Sequence, residues 1–142
     1  FRLPTEAEWE YARRGGTHTA RPWGNELAPL RLNFSDANDP LHPWRDDLED
    51  GYAVSAPVGQ FPANPFGLHD MLGNALEWVE DQYGDYENQQ DLDPLHMGSS
   101  GYRVLRGGSW DHHPDSSRCA SRRGSFPSDR LNSIGFRLAR NP

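Results

Sequence analysis

The sequence predicts an irregular, loop-rich α+β domain. Three observations carry that reading. One segment, 4–14, has the full signature of a helix. The strand-like runs are only four to six residues long. Fourteen Gly and twelve Pro punctuate 142 residues, which favours many turns over long elements. That length suits one domain or part of one and suffices to bury a core. Hydrophobic residues make up only 35%, but five Trp, six Phe and five Tyr each supply a large buried area.

The elements follow in order. In PTEAEWEYARR, residues 4–14, Thr5 is a good N-cap and Glu8 stands three residues later, a capping box. Acids fill the first turn and Arg13 and Arg14 the last, matching the helix dipole. Gly15-Gly16 stops the helix. Trp9 and Ala12 share a face and are expected to point at the core.

Residues 17–60 read as loops broken by Pro22, Pro29, Pro40, Pro43 and Pro57. A loop this long needs something to order it: bound ions, Trp23 and Trp44, or turn chemistry at Asp50-Gly51. Ala56–Phe61 is a short strand candidate. In 64–81, Phe66-Gly67-Leu68 predicts a tight turn into a short helix, and Gly73-Asn74 predicts another turn. Ala75–Val79 predicts a strand with Leu76 and Trp78 on one face and Ala75, Glu77 and Val79 on the other. Residues 82–101, with Gly84, Pro94, Gly98 and Gly101, read as a loop.

Residues 102–106 predict a strand, and Gly107-Gly108 allows a bulge or a close backbone approach. Arg118–Ser121 and Gly135–Ala139 are further short strand candidates. Between RVLRGGSW (103–110) and IGFR (134–137) lies a polar insert, Asp111–Ser133. The strands flanking it are expected to pair and present it on one side of a sheet. A rigid frame around a polar, irregular insert is how proteins display function.

Net charge is −7, so no nucleic-acid partner is expected. The charge is uneven: residues 36–93 hold 14 acids and one base, Arg45, whereas 106–142 hold seven Arg and three Asp. The acidic middle suits solvated loops or divalent cations. All 14 basic residues are Arg, which rules out a Schiff-base or P-loop lysine within this chain. Cys119 stands alone, so there is no intrachain disulfide and no CxxC motif. That fits a reducing compartment without assigning one. No apolar run reaches about 18 residues, so no membrane partner is expected. FRLPTEAEWE lacks a signal-peptide pattern and reads as a start in mid-domain.

Five motifs in order resemble one family: RLPTEAEWEYARRGG (2–16), WGN (23–25), APVGQFPANPFGLHDMLGNALEWVED (56–81), RVLRGGSW (103–110) and IGFRLAR (134–140). The chain is similar to the formylglycine-generating, or sulfatase-modifying factor, family. The resemblance implies an irregular variant of the C-type-lectin-like fold. Family domains are longer, so 1–142 is expected to be the C-terminal portion of one such domain. Its N-terminal portion is then missing here or supplied by a separate chain.

The family's enzymes oxidise a substrate cysteine using copper held by two cysteines just after GGS. Thiolates suit Cu(I). Here that segment, Trp110–Ser117, contains no cysteine, and Cys119 matches a structural family cysteine. No catalytic residue and no copper are therefore expected. A related branch, the iron-dependent sulfoxide synthases, keeps its metal histidines in a helical domain that this chain lacks. His112 and His113 are competent metal ligands with Asp111 or Asp115, but neighbours in an extended segment point apart. Ser109 has no GxSxG elbow around it.

The favoured reading is a non-catalytic module binding a protein or small molecule at about 110–133. Its candidate contact residues are Trp110, Asp111, His112, His113, Asp115, Ser116, Ser117, Ser121, Arg123, Ser125, Phe126, Leu131 and Asn132. Small polar residues with an occasional aromatic anchor suit adaptable recognition. This bias resembles the variable region of retroelement-diversified proteins, whose Asn codons become Asp, His, Ser, Gly, Leu or Phe. The alternatives are a copper-dependent formylglycine-generating oxidoreductase and an accessory domain of a larger enzyme.

The resemblance also implies structural calcium, a cation that takes six to eight oxygen ligands. One set is the Asn33 and Asp50 side chains with the carbonyls of Phe34 and Tyr52. The other is the Asp70 and Glu77 side chains with the carbonyls of Gly73 and Ala75.

Overall fold

The computed structural model describes residues 1–39, 41, 48–86 and 94–141. Pro40, Pro43, Trp44 and Arg45, and 87–93 of the predicted 82–101 loop, lie outside the described residues.

Helix α1, Glu6–Arg14, starts as its sequence signals. Thr5 Oγ1 accepts from the Glu8 amide at 3.2 Å, and Glu8 Oε2 accepts from the Thr5 amide at 2.8 Å. Arg2 grips the same carboxylate at 2.7 and 2.6 Å and holds it well down, at about 2. Gly15 closes the helix with φ 55°, a conformation that favours glycine.

Among the described residues, four strands make one sheet: β1 (Leu76–Gln82), β2 (Arg103–Arg106), β3 (Arg122–Ser125) and β4 (Ile134–Phe136). Their spatial order is β3-β2-β1-β4. β2 is antiparallel to β1 and β3, and β4 runs parallel to β1. Trp78 sits opposite Leu105 on one side and Phe136 on the other. Short 3₁₀ turns occur at Pro29–Arg31 and Pro114–Ser116.

Several strand and helix expectations need correction. The strands flanking the insert do not pair with each other, because β1 separates them. The insert instead contributes its own strand, and this is Arg122–Ser125 rather than Arg118–Ser121. The last strand is Ile134–Phe136, with Ala139 forming only an isolated bridge to Arg2. Ala56–Phe61 is not a strand: the Ala56 amide donates to Asn74 Oδ1 and the Gly59 amide to Asp70 Oδ2, so side chains take the bonds a ladder would need. The turn at 66–68 is present, with the Gly67 amide on the Asn64 carbonyl, but no helix follows it. Asp70, at φ 53°, breaks any helical run there.

Of the two expected faces of β1, the one carrying Glu77 and Val79 is buried, and Leu76 of the other is buried too. Glu77, Val79 and Asp81 are buried and Trp78 is only partly so. Val79 packs with Trp9, Met71 and Val104, while Leu32, Phe34 and Leu72 form a second cluster. Ala12 packs beside Trp9 as its spacing predicts.

Between α1 and the sheet lies a buried ionic cluster. Arg106, fully buried at the end of β2, hydrogen-bonds the Glu10 carboxylate and the carbonyls of Cys119 and Ser121. Its Nε is 3.4 Å from Glu6, and its guanidinium lies 5.2 Å from the Trp9 ring centre. Glu6 also pairs with Arg122 at 2.6 Å. One arginine therefore ties the helix, the sheet and the start of β3 together.

Candidate functional site

The insert begins where β2 ends. Gly107 and Gly108, at φ 101° and 77°, carry the chain against the core without side chains. A Cβ on Gly108 would lie 2.3 Å from Ser117 Oγ and 3.3 Å from its Cα, so Ser117 packs where a side chain at 108 would stand. Ser109 and Trp110 follow, both buried. The Trp110 amide donates to the Asn74 carbonyl at 3.1 Å, and the Ser35 amide donates to the His112 carbonyl at 3.0 Å. Ser109 Oγ donates to Asp111 at 2.5 Å. This serine serves the frame.

From Trp110 onward, interior and surface positions alternate. Trp110, Pro114, Ser117, Cys119 and Ser133 are buried. Asp115, Ser116, Arg123, Phe126, Leu131 and Asn132 are exposed, and Asp111, His112, His113, Ser121 and Ser125 lie between. Among the candidate contact residues, Trp110 and Ser117 thus hold the frame from inside and are not presented to a ligand.

The presented residues surround two adjoining recesses. One, of about 420 Å³, includes Ser116, Ser121 and Asp115 in its wall. The other, of about 250 Å³, includes Asp111, Ser125 and Leu131. Both share Leu76 and Leu105, and both share His112 and Arg123. Arg123 Nη1 lies 2.7 Å from His112 Nε2. A guanidinium only donates, so Nε2 is the acceptor and the imidazole proton sits on Nδ1. His113 engages a different group, accepting from the Asp115 amide at 3.3 Å. The two histidines do not converge. Asp115 pairs with Arg118 at 2.5 Å, and that guanidinium holds its carboxyl below the usual range. Phe126 stacks on Tyr102 with ring centres 4.4 Å apart.

Cys119 lies under this surface. Its thiol donates to the Thr19 carbonyl at 3.1 Å and its amide to the Ala20 carbonyl at 2.8 Å. Burial pushes the thiol pKa up, opposite to the shift that makes a reactive thiolate.

A larger feature was not singled out by the sequence reading. An apolar cavity of about 870 Å³ lies against β1 and β4, lined by Leu3, Trp78, Arg103, Leu131, Ile134 and Phe136 among others. Phe1, Phe136 and Leu138 are exposed nearby in the sequence of the two chain ends, which Arg2 and Ala139 bridge. The available signal was the apolar series Leu131, Ile134, Phe136 and Leu138.

The calcium sets differ in fit. In the first, Asn33 is fully buried and its Oδ1 has no hydrogen-bond partner, as a metal-ligand oxygen would. Asp50 accepts from the amides of Phe34 and Tyr52 at 2.7 and 2.9 Å. Burial, with Asp36 nearby, pushes its carboxyl up to about 6, a cost that a cation would offset. In the second, Asp70 Oδ1 is likewise buried without a partner. Glu77, however, accepts from Trp9 Nε1 at 2.6 Å and from Arg137 at 2.7 and 2.6 Å, filling three of about four acceptor positions of a carboxylate. The Gly73 carbonyl already accepts from the Ala75 amide at 2.8 Å. Among the described residues, no group of three or more His, Cys, Asp or Glu converges on one point, so either set depends on Asn and carbonyl oxygens.

Residues 1–142 match the sulfatase-modifying factor enzyme 1-like domain. The chain is 38% identical over 143 residues to a formylglycine-generating enzyme of Bos taurus, covering 97% of this chain and 38% of that protein. It is 39% identical over 145 residues to the inactive C-alpha-formylglycine-generating enzyme 2 of Bos taurus, covering 97% of this chain and 43% of that protein. Among solved structures, Treponema denticola variable protein 1 superposes with a TM-score of 0.78 at 32% identity, covering 95% of this chain and 45% of that one. The chain spans less than half the length of each of these proteins. Its loop-rich sheet with little helix is the fold of these neighbours. Among the described residues, no helix is long and apolar enough to cross a membrane.

Proposed function

Because the chain belongs to the sulfatase-modifying factor enzyme 1-like domain family, we propose that it is a ligand-binding module on that scaffold, without the family's oxidase chemistry. One observation carries this reading. The segment where the resemblance places two copper-binding cysteines, Trp110–Ser117, has none, and its His112, Asp115 and Ser116 line a recess instead. Cys119, buried and bonded to a carbonyl, does not replace them. The names of two similar proteins, an inactive enzyme and a variable protein, agree with the reading. Retroelement diversification of 110–133 belongs to the same proposal. A near-copy of the gene's 3′ end beside a reverse transcriptase gene would support it, and a locus with neither would count against it.

The apolar face at Trp78, Ile134 and Phe136 is proposed to seat the remaining part of the longer domain that relatives possess. The cavity there and the exposed Phe1, Phe136 and Leu138 support this.

The display reading predicts that presentation and folding separate. Alanine at Asp115, Ser116, Leu131 or Asn132 should move stability by no more than about 0.5 kcal/mol each. Alanine at Trp110 should cost about 3–5 kcal/mol. Urea melts of the variants would check this. A large loss at most of the exposed positions would make the insert structural and sink the proposal.

Calcium is proposed as a structural ion; both sets hold a partnerless buried oxygen, and the Asn33–Asp50 set is favoured because Glu77 of the other is already engaged by Trp9 and Arg137. Calcium at about 100-fold over its dissociation constant should add about 2.7 kcal/mol. Excess EGTA should therefore lower the melting temperature, and the shift should vanish in Asn33→Ala. An unchanged melting temperature of the wild-type chain would count against both sets.

A further inference from the structure

We propose that the double recess takes a peptide carrying a carboxylate beside an apolar side chain. This rests on the ligand-binding reading and specifies its ligand.

A guanidinium has five N–H donors, and Arg123 directs one of them at His112. The neighbouring arginines are committed to carboxylates: Arg106 to Glu10, Arg122 to Glu6 and Arg118 to Asp115. Arg123 has no carboxylate partner among the described residues. Among the described residues, the other charged groups lining the recesses are Asp111, Asp115 and Arg122. Asp115 is paired with Arg118 at 2.5 Å and Arg122 with Glu6 at 2.6 Å, whereas Asp111 keeps its charge and accepts from the neutral Ser109 hydroxyl at 2.5 Å. Arg123 is therefore the lining cation left holding a neutral acceptor.

His112 Nε2 stands where a ligand oxygen would bind. A carboxylate offers Arg123 two parallel charge-assisted bonds, each roughly twice as strong as a neutral one, and so outcompetes a single imidazole nitrogen. Moving His112 aside also removes the divider between the recesses, because it and Arg123 border both. The floor there is formed by the buried Leu76 and Leu105, whose apolar surface suits a side chain next to the carboxylate. Ser116 and Ser121 on the walls supply hydroxyls for the peptide backbone, while the Ser125 hydroxyl already donates to Asp129.

Calorimetric titration of the chain with three acetylated peptides tests this. Acetyl-Gly-Gly-Leu carries a terminal carboxylate, acetyl-Gly-Leu-Glu-Gly-amide a side-chain carboxylate, and acetyl-Gly-Gly-Leu-amide none. At least one carboxylate peptide should bind about tenfold or more tightly than the neutral amide, and the better one identifies the source of the carboxylate. Arg123→Gln should remove that advantage, with the melting temperature held. Arg123→Lys, a cation without the fork, should keep part of it. His112→Ala should strengthen binding by removing the competing acceptor, which a merely structural His112 would not do. Equal binding of the amide, unchanged binding by Arg123→Gln, or no binding of either carboxylate peptide overturns the ligand class. The display reading fails separately, through loss of fold on substituting exposed insert residues or through catalytic turnover.

Discussion

Arg106→Ala is expected to destabilise the chain by about 3–5 kcal/mol, the scale of a large-to-small change in the interior that also leaves buried carbonyls without a donor. Arg106 is fully buried. Its guanidinium satisfies the carbonyls of Cys119 and Ser121, pairs with Glu10 and lies over Trp9. Glu6 and Glu10 keep other partners, Arg122 and Arg14, so the variant does not strand a lone carboxylate. The loss comes from the void beside Trp9 and from two carbonyls left without a donor in the interior. Arg106→Met fills the void but not the carbonyls, and should recover only part of the loss. Urea unfolding reads both variants: the midpoint should fall with an unchanged slope, further for Ala than for Met. Equal midpoints for Met and wild type would show that the carbonyl bonds contribute little.

Gly73→Ala is the second large effect. Gly73 sits at φ 71°, which costs an L-residue about 1–2 kcal/mol by itself. The added Cβ would also lie 2.2 Å from the Asn33 carbonyl oxygen, so backbone must move. That movement breaks the Asn74 amide bond to the same carbonyl, 2.9 Å long, and displaces the buried Asn33 proposed as a calcium ligand. The expected total exceeds about 3 kcal/mol. Gly101→Ala is the control: its φ is 73°, but a Cβ there meets nothing within 4 Å, so only the conformational cost of about 1–2 kcal/mol applies. Similar melting temperatures for the two variants would contradict the close approach.

What the sequence made legible depended on local chemistry. The capping box, the glycine stop and the Gly73-Asn74 turn arise within a few residues, and each appears in the structure. The orientation of β1 was not legible, because its core face carries two acids. Glu77 is buried against Trp9 and Arg137, and Asp81 accepts from the amides of Glu6 and His96 at 2.6 and 2.9 Å. A hydrophobic alternation cannot reveal a face whose polar members are satisfied by residues distant in sequence. The insert posed the same problem. Trp110 and Ser117 look displayable by type, yet Asn74 binds the backbone of one and Gly108 packs on the other. The pairing of Arg123 with His112 links positions 11 residues apart that no periodicity relates.

Binding without oxidase chemistry is tested most directly by turnover. The chain, expressed in its full reading frame and supplied with Cu(I) and oxygen, is incubated with a cysteine-containing sulfatase-motif peptide. Mass spectrometry then follows conversion of that cysteine to formylglycine. With no cysteine in Trp110–Ser117 and the Cys119 thiol buried, the expected result is an unconverted peptide. Oxygen-dependent conversion that Cys119→Ser abolishes would contradict it.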